Sequence, residues 1–192
     1  YQLYENEKYA EAISKCEENI ISFSGEPVVS KLEFLKSLAI ARVYGFKEYE
    51  KALQFIKLNY SVTLEGKEAE RILNEVLPQI KNDEFKENKL SENYKIVYVF
   101  EKDENDKISQ QLNDLQQYID GVDFLDLRVS EDFYNNIVTF VIVHGLKSYD
   151  GSFGLSERLE KTINIQADSF FVISSDNYKT IQIHKNLEQF RN

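Results

Sequence analysis

Apolar residues recur every three or four positions from residue 1 to about residue 80, and that spacing predicts helices. Tyr9, Ala12, Ile13, Cys16 and Ile20 fall on one helical face. The same spacing returns 40 residues later as Tyr49, Ala52, Leu53, Ile56 and Tyr60. The alanine in each set leaves room for a neighbouring helix. Leu32, Leu35, Ala39, Ile40 and Val43 supply a helix between the two sets, and Ala69, Ile72, Leu73, Val76, Leu77 and Ile80 another after them. Pro78 is expected to bend the last one, because its ring removes a backbone donor. Residues 81–93 are mostly charged or amide, which places a linker there, with Phe85 and Leu90 as its apolar anchors.

From residue 94 the period changes. Residues 94–100 are β-branched and aromatic and read as a strand. Ile108, Leu112, Leu115 and Ile119 return to helical spacing; residues 122–129 alternate as a strand, and residues 137–143 are apolar on both faces, as a buried strand is. Leu155, Leu159 and Ile163 mark a second helix. Residues 170–173 and 178–184 read as two more strands joined by a turn at 174–177. The expected fold class is α+β: tetratricopeptide-like helical repeats at 1–80, a linker at 81–93, and a ferredoxin-like βαββαβ domain at 94–192 with an extra C-terminal strand. Its strand order is expected to be 5-4-1-3-2, with both helices on one face. Strands one and three should be adjacent, parallel and most buried, and Ile181 and Ile183 should face the helices from the fifth strand.

Charge narrows the function classes. The chain has 192 residues and a net charge of −10. Residues 94–192 hold 16 acids against 10 bases. Nucleic acid is not an expected partner, because phosphate contacts need clustered bases, and an anionic membrane surface is equally unsuited. No apolar run approaches the ~20 residues of a membrane span. The lone Cys16 provides neither an intrachain disulfide nor a cysteine-rich zinc site. The chain holds no methionine and opens in helical pattern, which reads as a fragment of a larger protein.

No catalytic group, metal or cofactor is expected. Ser148 or Ser152 with His144 and Asp150 is a triad by residue type only, and the Gly-x-Ser-x-Gly elbow is absent. Gly145, Gly151 and Gly154 fit a turn better than a phosphate-binding fingerprint. Asp103 to Asp106 lacks the alternating ligands of a calcium loop. His144 and His184 are expected at one end of the sheet, too far apart to share a metal. An interaction surface is expected at His144, Lys147, Tyr178, His184 and Lys185.

Asn6 to Ile13 and Gly45 to Leu53 are similar to the start of the second helix of a tetratricopeptide repeat; the loop at 24–29 takes up the excess over its ~34-residue unit. Residues 9–16, 31–36, 39–46, 141–148, 173–178 and 181–187, with Ala52-Leu53 and Asn59-Tyr60, resemble the C-terminal part of the SprE/PorW family of tetratricopeptide lipoproteins of gliding motility and type IX secretion in Bacteroidota. The resemblance implies a non-catalytic structural adaptor in the bacterial envelope, at the periplasmic face of the outer membrane. Its implied partners are periplasmic ring and outer-membrane translocon proteins. Cys16 lies inside a helix and is not a lipid-bearing cysteine, so the implied anchor belongs to the parent protein. The alternatives are a generic peptide-binding repeat adaptor and a small-ligand-binding ferredoxin-like domain.

Overall fold

The computed structural model describes residues 1–81, 84–122 and 126–192. Helices and one four-stranded sheet make it an α+β chain. Backbone contacts divide it into two compact units, Tyr1–Glu84 with Gln182–Asn192, and Phe85–Ile181.

The first unit contains α1 (Gln2–Glu5), α2 (Tyr9–Ser22), α3 (Val28–Tyr44), α4 (Phe46–Asn59), α5 (Leu64–Arg71) and α6 (Leu77–Ile80). Helix α2 packs on α3, α3 on α4, and α4 on α5. The repeated spacing explains the packing: Tyr9, Ala12 and Cys16 are buried in α2, and Leu53 and Ile56 in α4. Tyr49 and Tyr60 pack against Phe46, Leu53 and Ile56. Gly45 alone separates α3 from α4, at a φ of 80° that side chains disfavour. Thr63 caps α5 by accepting from the Gly66 N–H at 3.1 Å. Ahead of Pro78 the helix widens into a π-type turn, Ile72–Val76, closed by the Leu77 N–H on the Ile72 carbonyl.

The second unit contains β1 (Tyr94–Glu101), α7 (Asn105–Asp120), β2 (Arg128–Phe133), β3 (Val138–Leu146), α8 (Tyr149–Thr162), β4 (Ser169–Ser174) and the start of α9 (Ser175–His184). The strands lie in the order β2-β3-β1-β4, and every neighbouring pair is antiparallel. The first and third strands are neighbours, but the expected parallel pairing is wrong. A short hairpin, in which the Asn135 side chain accepts from the Ile137 and Val138 N–H groups at 2.8 Å, turns β3 back along β2. The crossover through α7 returns β2 in the direction of β1, so the strand between them opposes both.

One face of the sheet presents Tyr94, Ile96, Tyr98, Phe100, Val141 and Val143 to α7 and α8, which contribute Ile108, Leu115, Leu155 and Leu159. The other face is buried too. Val97, Phe140, Ile142 and Ile173 have no exposed surface. Tyr134 stacks on Phe140 at 4.8 Å, and the Tyr178 ring of α9 lies 6.3 Å from Phe140.

The expected fifth strand, 178–184, is a helix, so the sheet has no extra C-terminal strand. Ser174 ends β4 and caps α9, its hydroxyl accepting from the Asn177 N–H at 3.3 Å. A run this short satisfies either period, and the cap decides it. Tyr178 and Ile181, three apart, are both buried, whereas Ile183 lies in the Phe46, Leu53 and Ile56 cluster of the first unit. Residues 182–192, expected in the sheet domain, thus group with the helical unit. Lys185, at a φ of 53°, follows α9, and a short α10 (Leu187–Arg191) comes next.

Of the strand expected at 122–129, Asp123, Phe124 and Leu125 lie outside the described residues, as do Asn82 and Asp83 of the expected linker; pairing starts at Arg128. The rest of that linker is pinned by amides. Asn88 donates to the Val172 carbonyl at 3.0 Å and accepts from the Ser174 N–H at 2.7 Å, so one side chain imitates a neighbouring strand along the edge of β4. Asn177 does the same for the Lys86 backbone, donating to its carbonyl and accepting from its N–H, both at 2.9 Å. Leu90 is exposed and anchors nothing. Asn88→Asp keeps the acceptor and sets a second carboxylate oxygen against the Val172 carbonyl. It is expected to cost roughly 1–3 kcal/mol, read as a lower urea midpoint.

Candidate functional site

The sheet unit carries a chain of polar side chains on the face opposite α7 and α8. The pairing of β1 with β3 slips by one residue between Tyr94 and Ile96, so His144 and Gly145 together oppose Lys95. Gly145 takes up the bulge with a φ of 91°. A Cβ there would stand 2.0 Å from the Asp126 carbonyl oxygen, so the close approach also requires glycine. The bulge carries β3 past His144 and leaves that side chain on the face shared by Lys95 of β1 and Ser130 and Asp132 of β2.

The donors in this chain have one consistent direction. Lys95 Nζ lies 2.9 Å from His144 Nδ1, and an ammonium only donates, so Nδ1 accepts. The imidazole is therefore neutral with its proton on Nε2, which donates to Ser130 Oγ at 2.8 Å. Ser130 donates to Asp132 Oδ1 at 2.9 Å, and Tyr178 donates to Asp132 Oδ2 at 2.8 Å. The Tyr178 ring also faces Lys95 Nζ at 5.4 Å, which adds a cation–π contact. The result is an ammonium and a carboxylate joined through a histidine and a serine. Burial pulls the Lys95 ammonium below its ordinary range, against the attraction of Asp132. Burial first, and then the Lys95 and Arg128 charges, push His144 down to about 4.

A serine whose proton goes to aspartate, beside a histidine that donates to it, is not arranged as a nucleophile with a general base. Ser148 and Ser152 are spent on α8. Ser148 Oγ accepts from the Gly151 N–H at 3.1 Å, and Ser152 Oγ donates to the Ser148 carbonyl at 2.7 Å. Gly151 and Gly154 are helical residues of α8 rather than parts of a loop. Glu104 accepts from the Glu101 N–H at 3.1 Å and pairs with Lys107. Among the described residues no group of three His, Cys, Asp or Glu side chains is placed to hold a metal ion.

Of the five residues expected at an interaction surface, three belong to the sheet unit. His144 and Tyr178 are members of the chain, and Lys147 Nζ reaches Asn93 Oδ1 nearby at 3.4 Å. His184 and Lys185 belong to the helical unit, so the two histidines do not share one end of a sheet. His184 Nε2 donates to the Ile80 carbonyl at 3.1 Å, and its ring lies 5.3 Å from Phe46. Lys185 donates to Gln182 at 3.0 Å, and burial, with Arg42 nearby, lowers its ammonium to about 7. Sequence reasoning missed Lys95, Ser130 and Asp132. The available signals were a lysine inside an apolar strand and a glycine directly after His144.

The helical unit holds a concavity of about 790 Å³ across α2, α3 and α4. Ala10, Ile13 and Glu17 form one wall, Phe55 lies on the other, and Ile40 and Tyr44 lie between. Its lysines are engaged: Lys36 meets Glu33 at 2.8 Å, and Lys51 meets Glu48 at 2.6 Å. Glu17 forms no ion pair among the described residues. Both wall helices contribute residues at i, i+3, i+4 and i+7, so two amphipathic faces line one groove.

The chain matches no protein-family model, no curated protein and no solved structure. Among the described residues no helix is long and apolar enough to cross a membrane.

Two outcomes follow from the geometry around His144. Gly145→Ala is expected to cost roughly 1–3 kcal/mol in urea unfolding, because both φ and the Asp126 carbonyl oppose a Cβ. The second concerns acid. The unfolded chain takes up a proton at the ordinary histidine value near 6.5, whereas folded His144 waits until about 4. The unfolded state thus binds more protons in this window, and stability falls as pH drops from about 6.5 to about 4. The share due to His144 is expected to be about 2 kcal/mol, below full linkage because the site keeps access to water. It is read as the difference between wild-type and His144→Gln stability profiles over that range.

Proposed function

We propose that the chain is a non-catalytic structural adaptor of the type IX secretion and gliding-motility machinery, part of a larger lipoprotein of the SprE/PorW kind at the periplasmic face of the outer membrane. On this reading the helical unit is a tetratricopeptide-like stack, and the sheet unit is a ferredoxin-like sandwich. The observation that carries an adaptor role is the 790 Å³ groove, in which apolar side chains such as Ile13, Ile40 and Phe55 alternate with charged ones. Two features support a binding rather than a reacting chain. Both lysines of the groove are held by neighbouring glutamates, Lys36 by Glu33 and Lys51 by Glu48, and the hydrogen-bond direction at Ser130 runs away from nucleophilic use. The assignment to secretion rests on the sequence resemblance.

The occupant is an amphipathic helical segment of a partner protein, as in helix-in-groove recognition. Its apolar side chains meet Ile13, Ile40 and Phe55. A basic side chain faces Glu17, the groove's unpaired charge. Tyr44 and Phe55 are 54% and 47% exposed, so changing them leaves the core intact.

In the parent protein, Tyr44→Glu with Phe55→Glu is expected to reduce secretion and gliding at least tenfold at unchanged protein level. It should also lose the ring and translocon proteins from an envelope pull-down. Ser130→Ala and Ser152→Ala are expected to keep secretion within about twofold of wild type. Normal secretion by the groove variant removes the proposal. Loss of secretion in well-folded Ser130→Ala reopens a catalytic reading, and recovery of partners outside the secretion machinery supports a generic peptide adaptor instead.

A further inference from the structure

The sheet unit has a second concavity, independent of the groove, where β1, β2, β3 and the start of α9 meet. It measures about 440 Å³ and is lined by Asn93, Lys95, Arg128, His144 and Ser175, with Asp126 also on its lining. Two cations line it, Lys95 and Arg128, and a third, Lys147, reaches the lining residue Asn93. Two of them, Lys95 and Arg128, form no ion pair among the described residues. Lys95 is the more telling. Its ammonium directs one proton to His144 and faces the Tyr178 ring, which among the described residues leaves one proton without a partner on a half-buried group that lines the concavity. In a chain with ten excess acids, Lys95 touches no carboxylate among the described residues. It reaches Asp132 only through His144 and Ser130. The Ser175 hydroxyl is uncommitted among the described residues, and its backbone N–H is spent on the Asn93 carbonyl at 2.9 Å.

We propose that this concavity binds a small phosphate-class oxyanion, with Lys95 and Arg128 as its charged donors and Ser175 as a neutral one. The donors come from three elements and surround a hollow. They suit a tetrahedral anion, which presents oxygens in several directions, better than a planar carboxylate. The guanidinium of Arg128 grips two oxygens, and Lys95 supplies a point charge. A bound dianion supplies the direct counter-charge that Lys95 lacks. Asp126 on the lining and Asp132 beyond Ser130 oppose binding, and Lys95, Arg128 and Lys147 outnumber them. The site takes either free phosphate or the terminal group of a small phosphate ester.

The test is calorimetric titration of the whole chain at pH 7 and fixed ionic strength, with inorganic phosphate, glycerol 3-phosphate, acetate and chloride in separate arms. His144 ring signals are followed by NMR. The expected result is saturable phosphate binding at submillimolar concentration, acetate at least tenfold weaker, and a rise in the His144 titration midpoint on binding. Arg128→Gln, at an exposed position, is expected to weaken phosphate about tenfold with unchanged unfolding, and Lys95→Met to abolish binding. Tighter glycerol 3-phosphate identifies an ester as the ligand, and tighter inorganic phosphate the free ion. The proposal is overturned if phosphate behaves as chloride does, if acetate binds equally well, or if Arg128→Gln binds phosphate like wild type.

Discussion

An ammonium on a strand buried on both faces has to find compensation, and the sheet unit is organised around this demand at Lys95. Removing a charge from water without a partner costs several kcal/mol. Here part of the compensation comes from Asp132, two strands away, and it is carried by His144 and Ser130, while burial still lowers the ammonium. Each link requires a particular placement. The bulge at Gly145 leaves the imidazole between Lys95 and Ser130, the register of β2 on β3 sets Ser130 diagonal to His144, and the capped start of α9 brings Tyr178 to the carboxylate. A neutral histidine follows from the neighbouring cation, so charge and hydrogen-bond direction agree throughout the chain.

The same unit shows how polar side chains finish a sheet that lacks another strand. Asn88 fills the hydrogen-bonding positions along β4, and Asn177 holds the segment that carries Asn88. Those amides turn a charged, linker-like stretch into edge protection. The helical unit solves a different problem. Its motifs bury tyrosine, alanine and cysteine in α2, and leucine and isoleucine in α4, and the remaining faces of those helices line a groove. The chain thus carries two unlike concavities, one lined by apolar and charged side chains of three helices and one lined by Lys95 and Arg128.

Periodicity in the sequence was enough to locate most elements. The helices around Leu53, Leu115 and Leu159 and the strands around Val97, Val141 and Val172 follow directly from where apolar residues recur. It failed at residues 178–184, where two isoleucines two residues apart, Ile181 and Ile183, read as a strand. There a single hydroxyl, Ser174, begins a helix and overrides a β-prone composition. It failed as well over strand direction, which depends on how connections close rather than on any local pattern.

Of the polar chain in the sheet unit, His144 and Tyr178 were visible because a histidine at a strand end and a tyrosine near a polar turn are unusual local features. Lys95, Ser130 and Asp132 were not, because each is unremarkable in its own segment and only strand pairing brings them together. The sequence by itself determined which stretches bury apolar surface and with what period, since that is a property of neighbours three or two residues apart. Tertiary structure alone decided the register, the bulge at Gly145, the helical fate of residues 175–184 and the meeting of a lysine with a distant aspartate. Those depend on pairing free energies and counter-charges contributed by residues far away in the chain.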